Sequence, residues 1–159
     1  IKTAELKPDF VRIYPTVILP NTYLGKLFDE GKYSSFSFEE TVSLCAEIMD
    51  LFEKNNIKIA RVGLHASDFL GQNMQGGVYH PAFREICESR RWLNRINDMI
   101  KPLEPGEYEI MANSRYISRI AGYKRSNMEE YEKKGFQIKL KATLDEDVKI
   151  MERGKAIVF

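Results

Sequence analysis

The stretch Asp9–Pro20, DFVRIYPTVILP, constrains the fold more than any other part of the chain. Phe10, Val11, Ile13, Tyr14, Val17, Ile18 and Leu19 form an apolar and aromatic run, interrupted only by Arg12, Pro15 and Thr16. A run so rich in β-branched and aromatic residues reads as a strand buried on both faces. Such strands belong to parallel sheets covered by helices, and parallel neighbours need a long crossover between them. Phe36–Asn55 supplies it with helical periodicity, and Ile57–Leu64 is a second buried-strand pattern. The result is a β-α-β unit, shared by α/β barrels and doubly wound sheets. In both architectures chemistry sits at the carboxyl ends of the strands, here Tyr14–Thr16 and Gly63–Ser67.

Local signals punctuate this unit. Ile1–Pro8 is a polar lead-in that ends in proline. Thr22 is placed to cap a short helix over Tyr23–Glu30, closed by Gly31. Ser37 caps the crossover helix, and Glu40 three residues later completes a capping box. Val42, Cys45, Ile48, Met49 and Phe52 recur at helical spacing and are expected to face the sheet. Ala66–Val78 contains Gly71, Gly76 and Gly77, and reads as a glycine-rich loop after a strand end. Such a loop either contacts a ligand or merely connects. It contains neither a P-loop nor a GxGxxG pattern. His80-Pro81 opens a long helix reaching about Ile100, with Pro81 in its first turn.

Leu103–Gly106, LEPG, is the candidate boundary, giving domains over 1–102 and 103–159. Beyond it the pattern predicts a strand at Tyr108–Ala112 and helices at Ser114–Ala121 and Ser126–Lys134. Strands then follow at Phe136–Ala142 and Lys155–Phe159, so the tail reads β-α-α-β-β. Charge is unevenly spread. Residues 1–112 carry 13 Lys/Arg against 16 Asp/Glu, whereas residues 113–159 carry 11 against 7. A basic tail suggests either an acidic partner such as nucleic acid or a plain solvated surface. No apolar run approaches the roughly 18 residues of a membrane span, and no secretory signal is present. Cys45 and Cys87 read as buried thiols of a reducing compartment, so a cytoplasmic location is expected.

No serine sits in a nucleophile-elbow pattern, and the two histidines do not have metal-pair spacing, so no catalytic or metal-ligating residue is assigned. His65, with Ser67 and Asp68 close behind, either positions a ligand and moves a proton or is satisfied by local backbone. Arg12, inside a strand read as buried, must be paired or must reach a pocket, where it could hold a carboxylate or phosphate.

Several short motifs then agree in order. Arg12-Ile13-Tyr14-Pro15-Thr16, Thr22-Tyr23-Leu24, Gly31-Lys32-Tyr33, Arg61-Val62-Gly63-Leu64-His65 and Tyr79-His80-Pro81-Ala82-Phe83 resemble the carboxyl-terminal part of certain radical S-adenosylmethionine proteins. The group is the bacterial one similar to the Elongator catalytic subunit, often labelled coproporphyrinogen oxidase-like. The resemblance covers roughly Lys7–Arg91. It implies an α/β fold made of the C-terminal βα units of a partial (β/α) barrel. It also implies a parent enzyme with a 4Fe-4S cluster and S-adenosylmethionine, acting on tRNA. A substrate or S-adenosylmethionine pocket is then expected around Arg12, Tyr14, Thr16, His65 and Ser67.

Such clusters are held by cysteine thiolates, and no cysteine triad occurs in this chain. The chain by itself is therefore expected to hold no cofactor and to be inactive, with the N-terminal barrel half as its missing partner. An exposed barrel edge would favour self-association. The Elongator subunit's acetyltransferase has no counterpart here.

Ile117–Leu140 resembles a KH domain core, whose GxxG loop joins two helices. Gly122 matches the first glycine and Lys124 the basic position, while Arg125 replaces the second glycine. This implies a small α+β, KH-like module binding tRNA or single-stranded RNA through Arg119, Gly122, Lys124, Arg125, Lys139 and Lys141. The alternative to an enzyme part is a non-enzymatic RNA-binding module.

Overall fold

The computed structural model describes residues 2–65, 68–152 and 155–156. The protein is mixed α/β and divides into two compact units, residues 1–87 and 88–159. The division falls at Cys87/Glu88, inside a long helix.

In the first unit, α1 (Lys2–Glu5) lies within the polar lead-in, and its Ala4 joins the core. The run Asp9–Pro20 is not one strand. It forms β1 (Phe10–Ile13) and β2 (Val17–Ile18), which belong to different sheets. The break falls at Tyr14-Pro15-Thr16, where proline offers no N–H to a ladder. The strand is also not buried on both faces. Phe10 is 54% exposed and Arg12 is exposed, while Ile13 is buried. β1 pairs in parallel with β3 (Lys58–Val62), matching Val11 with Ile59, Arg12 with Arg61 and Ile13 with Val62. Ala60 is the extra residue at the irregularity between the first two pairs.

Between them lie α2 (Tyr23–Asp29) and α3 (Phe38–Lys54). Both begin where local chemistry places them. The Thr22 hydroxyl accepts from Gly25 N–H at 3.0 Å. Ser37 Oγ accepts from Glu40 N–H, and Glu40 Oε2 accepts from Ser37 N–H at 2.8 Å. α3 buries Val42, Cys45, Met49 and Phe52 against Ile13, Val62 and Phe83. Burial of Val42, Met49 and Phe52 contributes about 1.5–3 kcal/mol each.

The glycine-rich segment is more structured than a loop. It holds α4 (Asp68–Asn73) and β4 (Gly76–Gly77), which pairs antiparallel with β2. Gly77, at φ +83°, lies where a Cβ would run into Thr16 O, so this pairing needs glycine. α5 (Phe83–Ile100) begins after the His80–Ala82 turn.

The second unit is built on β5 (Gly106–Asn113), followed by α6 (Ser114–Ala121) and α7 (Ser126–Lys133). β6 (Phe136–Thr143), β7 (Lys149–Glu152) and β8 (Lys155–Ala156) complete it. The sheet order is β6-β5-β7-β8, with β5/β6 parallel and β5/β7 antiparallel. β7 is a strand that the sequence pattern did not reveal. The core gathers Trp92, Ile96 and Ile100 of α5 with Tyr108, Ile110, Ile120, Tyr131, Phe136 and Ile150. Trp92 is a packing residue, with its ring 4.9 Å from that of Tyr116.

Candidate functional site

The parallel pairing of β1 and β3 brings their carboxyl ends side by side, and Gly63 N–H donates to Ile13 O at 2.9 Å. Tyr14 and Thr16 follow the end of β1 in the chain, and His65 follows the end of β3. Tyr14 is 47% exposed, and Arg12, Thr16 and His65 are exposed. The Arg12 guanidinium lies 5.8 Å from the Phe10 ring centroid, within cation–π range. Thr16 contributes its backbone, because its carbonyl accepts from Val78 N–H at 3.1 Å. Ser67 lies outside the described residues.

A pocket of about 420 Å³ opens at the same strand end. It is lined by Arg61, Leu64, His80, Phe83 and Arg84 among others, and by none of the residues picked from the sequence. The signal for Arg61 was available. Like Arg12, it is an arginine inside a strand pattern. His80 and Arg84 lie too far along the chain for spacing to connect them with Arg61.

In the second unit, Gly122–Arg125 joins α6 to α7 through a tight 3₁₀ turn. Gly122 has φ +84°, and Lys124 and Arg125 are left-handed at φ +52° and +66°. Asn127 holds this shape from within. It is 3% exposed, and its amide donates to Ser89 O at 2.8 Å and to the Arg119 and Ile120 carbonyls at 3.3 Å. Tyr123 N–H donates to Ser89 Oγ at 2.8 Å. With the backbone fixed from beneath, Lys124 and Arg125 are exposed at the tip, and Arg119 is exposed in the last turn of α6.

Lys139 and Lys141 do not join them. They alternate on β6 with Ile138 and Leu140, which pack into the core. The lysines therefore face the other side of the sheet, 4.0 and 3.7 Å from the Glu109 carboxylate. The six residues form two groups: the loop with Arg119, and a strand pair partly neutralised by Glu109.

The donor set does not fit an iron–sulfur cluster. The two cysteines are buried in the first core, and a hydrogen bond from Cys87 holds the Cys45 thiol below its usual pKa. No group of three His, Cys, Asp or Glu side chains suited to a metal occurs among the described residues. Among those residues no helix is long and apolar enough to cross a membrane.

A parallel β-α-β unit whose first strand ends within the RIYPT motif, and whose crossover carries a Ser-capped helix, defines the class. The profile of the Radical SAM C-terminal domain matches residues 8–95, more than half of the chain, and the chain belongs to this family. It is also similar to human Elongator complex protein 3, with 31% identity over 84 residues. That alignment covers 53% of this chain and 15% of the human protein. Membership implies a 4Fe-4S cluster and S-adenosylmethionine for a full-length radical enzyme, whose ligands this chain does not supply.

Proposed function

We propose that this chain is the carboxyl-terminal part of a cytoplasmic radical S-adenosylmethionine enzyme that acts on tRNA, with the cluster held elsewhere in the parent protein. The match of residues 8–95 to the Radical SAM C-terminal domain carries the reading. The first unit contributes the last βα units of a (β/α) barrel. Arg12, Tyr14, Thr16 and His65 then line the substrate side. The exposed Phe10 and Tyr14 would meet the missing barrel half, or a second copy of the chain in its absence. Alone, the chain is inactive.

The second unit is the RNA-contacting module, KH-like in that a basic loop joins two helices. Its support is the Gly122–Arg125 turn, where a buried asparagine holds exposed Lys124 and Arg125 in left-handed conformations. This observation also favours the second reading, a non-enzymatic RNA-binding module. A cysteine triad encoded upstream of Ile1 would decide for the enzyme.

Fluorescence anisotropy with labelled tRNA tests the RNA contact. We expect weak binding at low salt that falls steeply as salt rises, because binding releases counterions from phosphates. Lys124→Asp with Arg125→Asp should weaken it without unfolding the chain, since both side chains are exposed. Equal binding by wild type and variant, or no binding at low salt, would remove RNA from the proposal.

A further inference from the structure

The pocket at the carboxyl end of β3 concentrates positive charge. Its charged lining is Arg61, Arg84 and the single carboxylate of Glu85, beside His80. His80 Nδ1 accepts from Ala82 N–H at 3.0 Å, which makes Nε2 the N–H donor of the neutral ring. Arg61 also stands opposite Arg12 in the strand register. Like charges directly opposite across paired strands are destabilising. Among the described residues neither guanidinium, nor that of Arg84, has a carboxylate partner. The fold thus places two arginines side by side and a third near one of them, and among the described residues none of the three is in an ion pair. An anion entering the pocket would relieve this repulsion.

The remaining lining narrows the anion's class. Guanidinium forks match phosphate oxygens in pairs and are less strongly hydrated than ammonium groups. Val62, Leu64, Pro81 and Phe83 supply apolar surface beside them. The volume of about 420 Å³ lies within the roughly 300–1,000 Å³ of small-molecule sites and exceeds what a bare ion would fill. We propose that this pocket binds a small phosphomonoester, its phosphate between Arg61 and Arg84 and its organic part on the apolar lining. The inference rests on the pocket alone and needs neither the cluster nor RNA binding to hold.

Isothermal titration of the full chain at low salt tests it. The probes are adenosine 5′-monophosphate, glycerol 3-phosphate, inorganic phosphate and unphosphorylated adenosine. At least one ester should bind more tightly than inorganic phosphate, and adenosine should not bind. Arg61→Ala and Arg84→Ala should each weaken that ester at least tenfold, with Lys58→Ala unchanged. Arg84 is exposed at the start of α5 and carries the test if Arg61→Ala lowers the folded fraction. No binding of either ester at millimolar concentration, or arginine variants that bind like wild type, would overturn the site. Inorganic phosphate binding as tightly as both esters would overturn the organic ligand.

Discussion

Replacing Gly122 by alanine tests how the second unit holds its loop. At φ +84° and ψ +161°, Gly122 occupies a region that is almost exclusively glycine's. The strain for an L-residue there is about 1–3 kcal/mol. A Cβ would also stand 2.6 Å from both the backbone nitrogen and the Cγ of Asn127. The nitrogen belongs to the first turn of α7, so relief requires moving the helix or displacing the asparagine. Displacement would break its hydrogen bonds to the Ser89 and Ile120 carbonyls, both buried, and to that of Arg119. Leaving even one such group unsatisfied costs about 1–3 kcal/mol. Together these effects predict a loss of about 3 kcal/mol or more for Gly122→Ala.

Trp92 is the only tryptophan and lies in the core of the same unit, so its fluorescence in urea reports on that unit. With a urea slope of about 1–3 kcal/mol per molar, the midpoint should fall by about 1–3 M. Gly106→Ala is the control, because its Cβ would meet nothing nearer than 3.5 Å and its φ is not positive. Its midpoint should move far less. A Gly122→Ala midpoint within about 0.2 M of wild type, less than about 0.6 kcal/mol at these slopes, would refute the argument. Asn127→Ala combined with Gly122→Ala should cost less than the two separate losses added, because each variant disturbs the same contacts.

Two further predictions concern titration. Hydrogen bonds from Ser37 hold the Glu40 carboxyl below its ordinary value of 4.5, so its contribution is present above that value and is lost as pH falls through the lowered pKa. The deficit of Glu40→Gln in urea, followed by far-ultraviolet circular dichroism, should therefore be measurable at neutral pH and vanish in acid. A deficit independent of pH would count against the capping box. In the second unit, burial raises the Tyr131 phenol above its ordinary value of 10.0. The stability it lends is complete below that value and declines as pH rises toward the raised one. Absorbance at 295 nm should show wild type and Tyr131→Phe titrating alike until alkaline unfolding; an extra tyrosinate appearing in folded wild type near pH 10 would contradict this burial.

What the sequence determined by itself was mainly local. Ser37 and Glu40 lie within one turn of each other, so the start of α3 needs no tertiary partner to be legible. Thr22 and the apolar spacing of Val42, Cys45, Met49 and Phe52 were readable for the same reason. The family was readable too, because RIYPT and the motifs after it keep their order whatever surrounds them. Burial was not. DFVRIYPTVILP has the composition of a two-sided strand, yet only the pairing partners decide which residues are covered, and Phe10 and Arg12 have none on their outer side.

Charge convergence was likewise tertiary. Lys139 and Lys141 look like neighbours of the Gly122–Arg125 loop in a basic tail. Strand alternation, fixed by Ile138 and Leu140 entering the core, turns them to the other side of the sheet. Arg61, His80 and Arg84 show the opposite case. A strand, a helix and the turn before α5 bring together residues that no sequence interval relates, because the crossover sets which strand end meets which helix start.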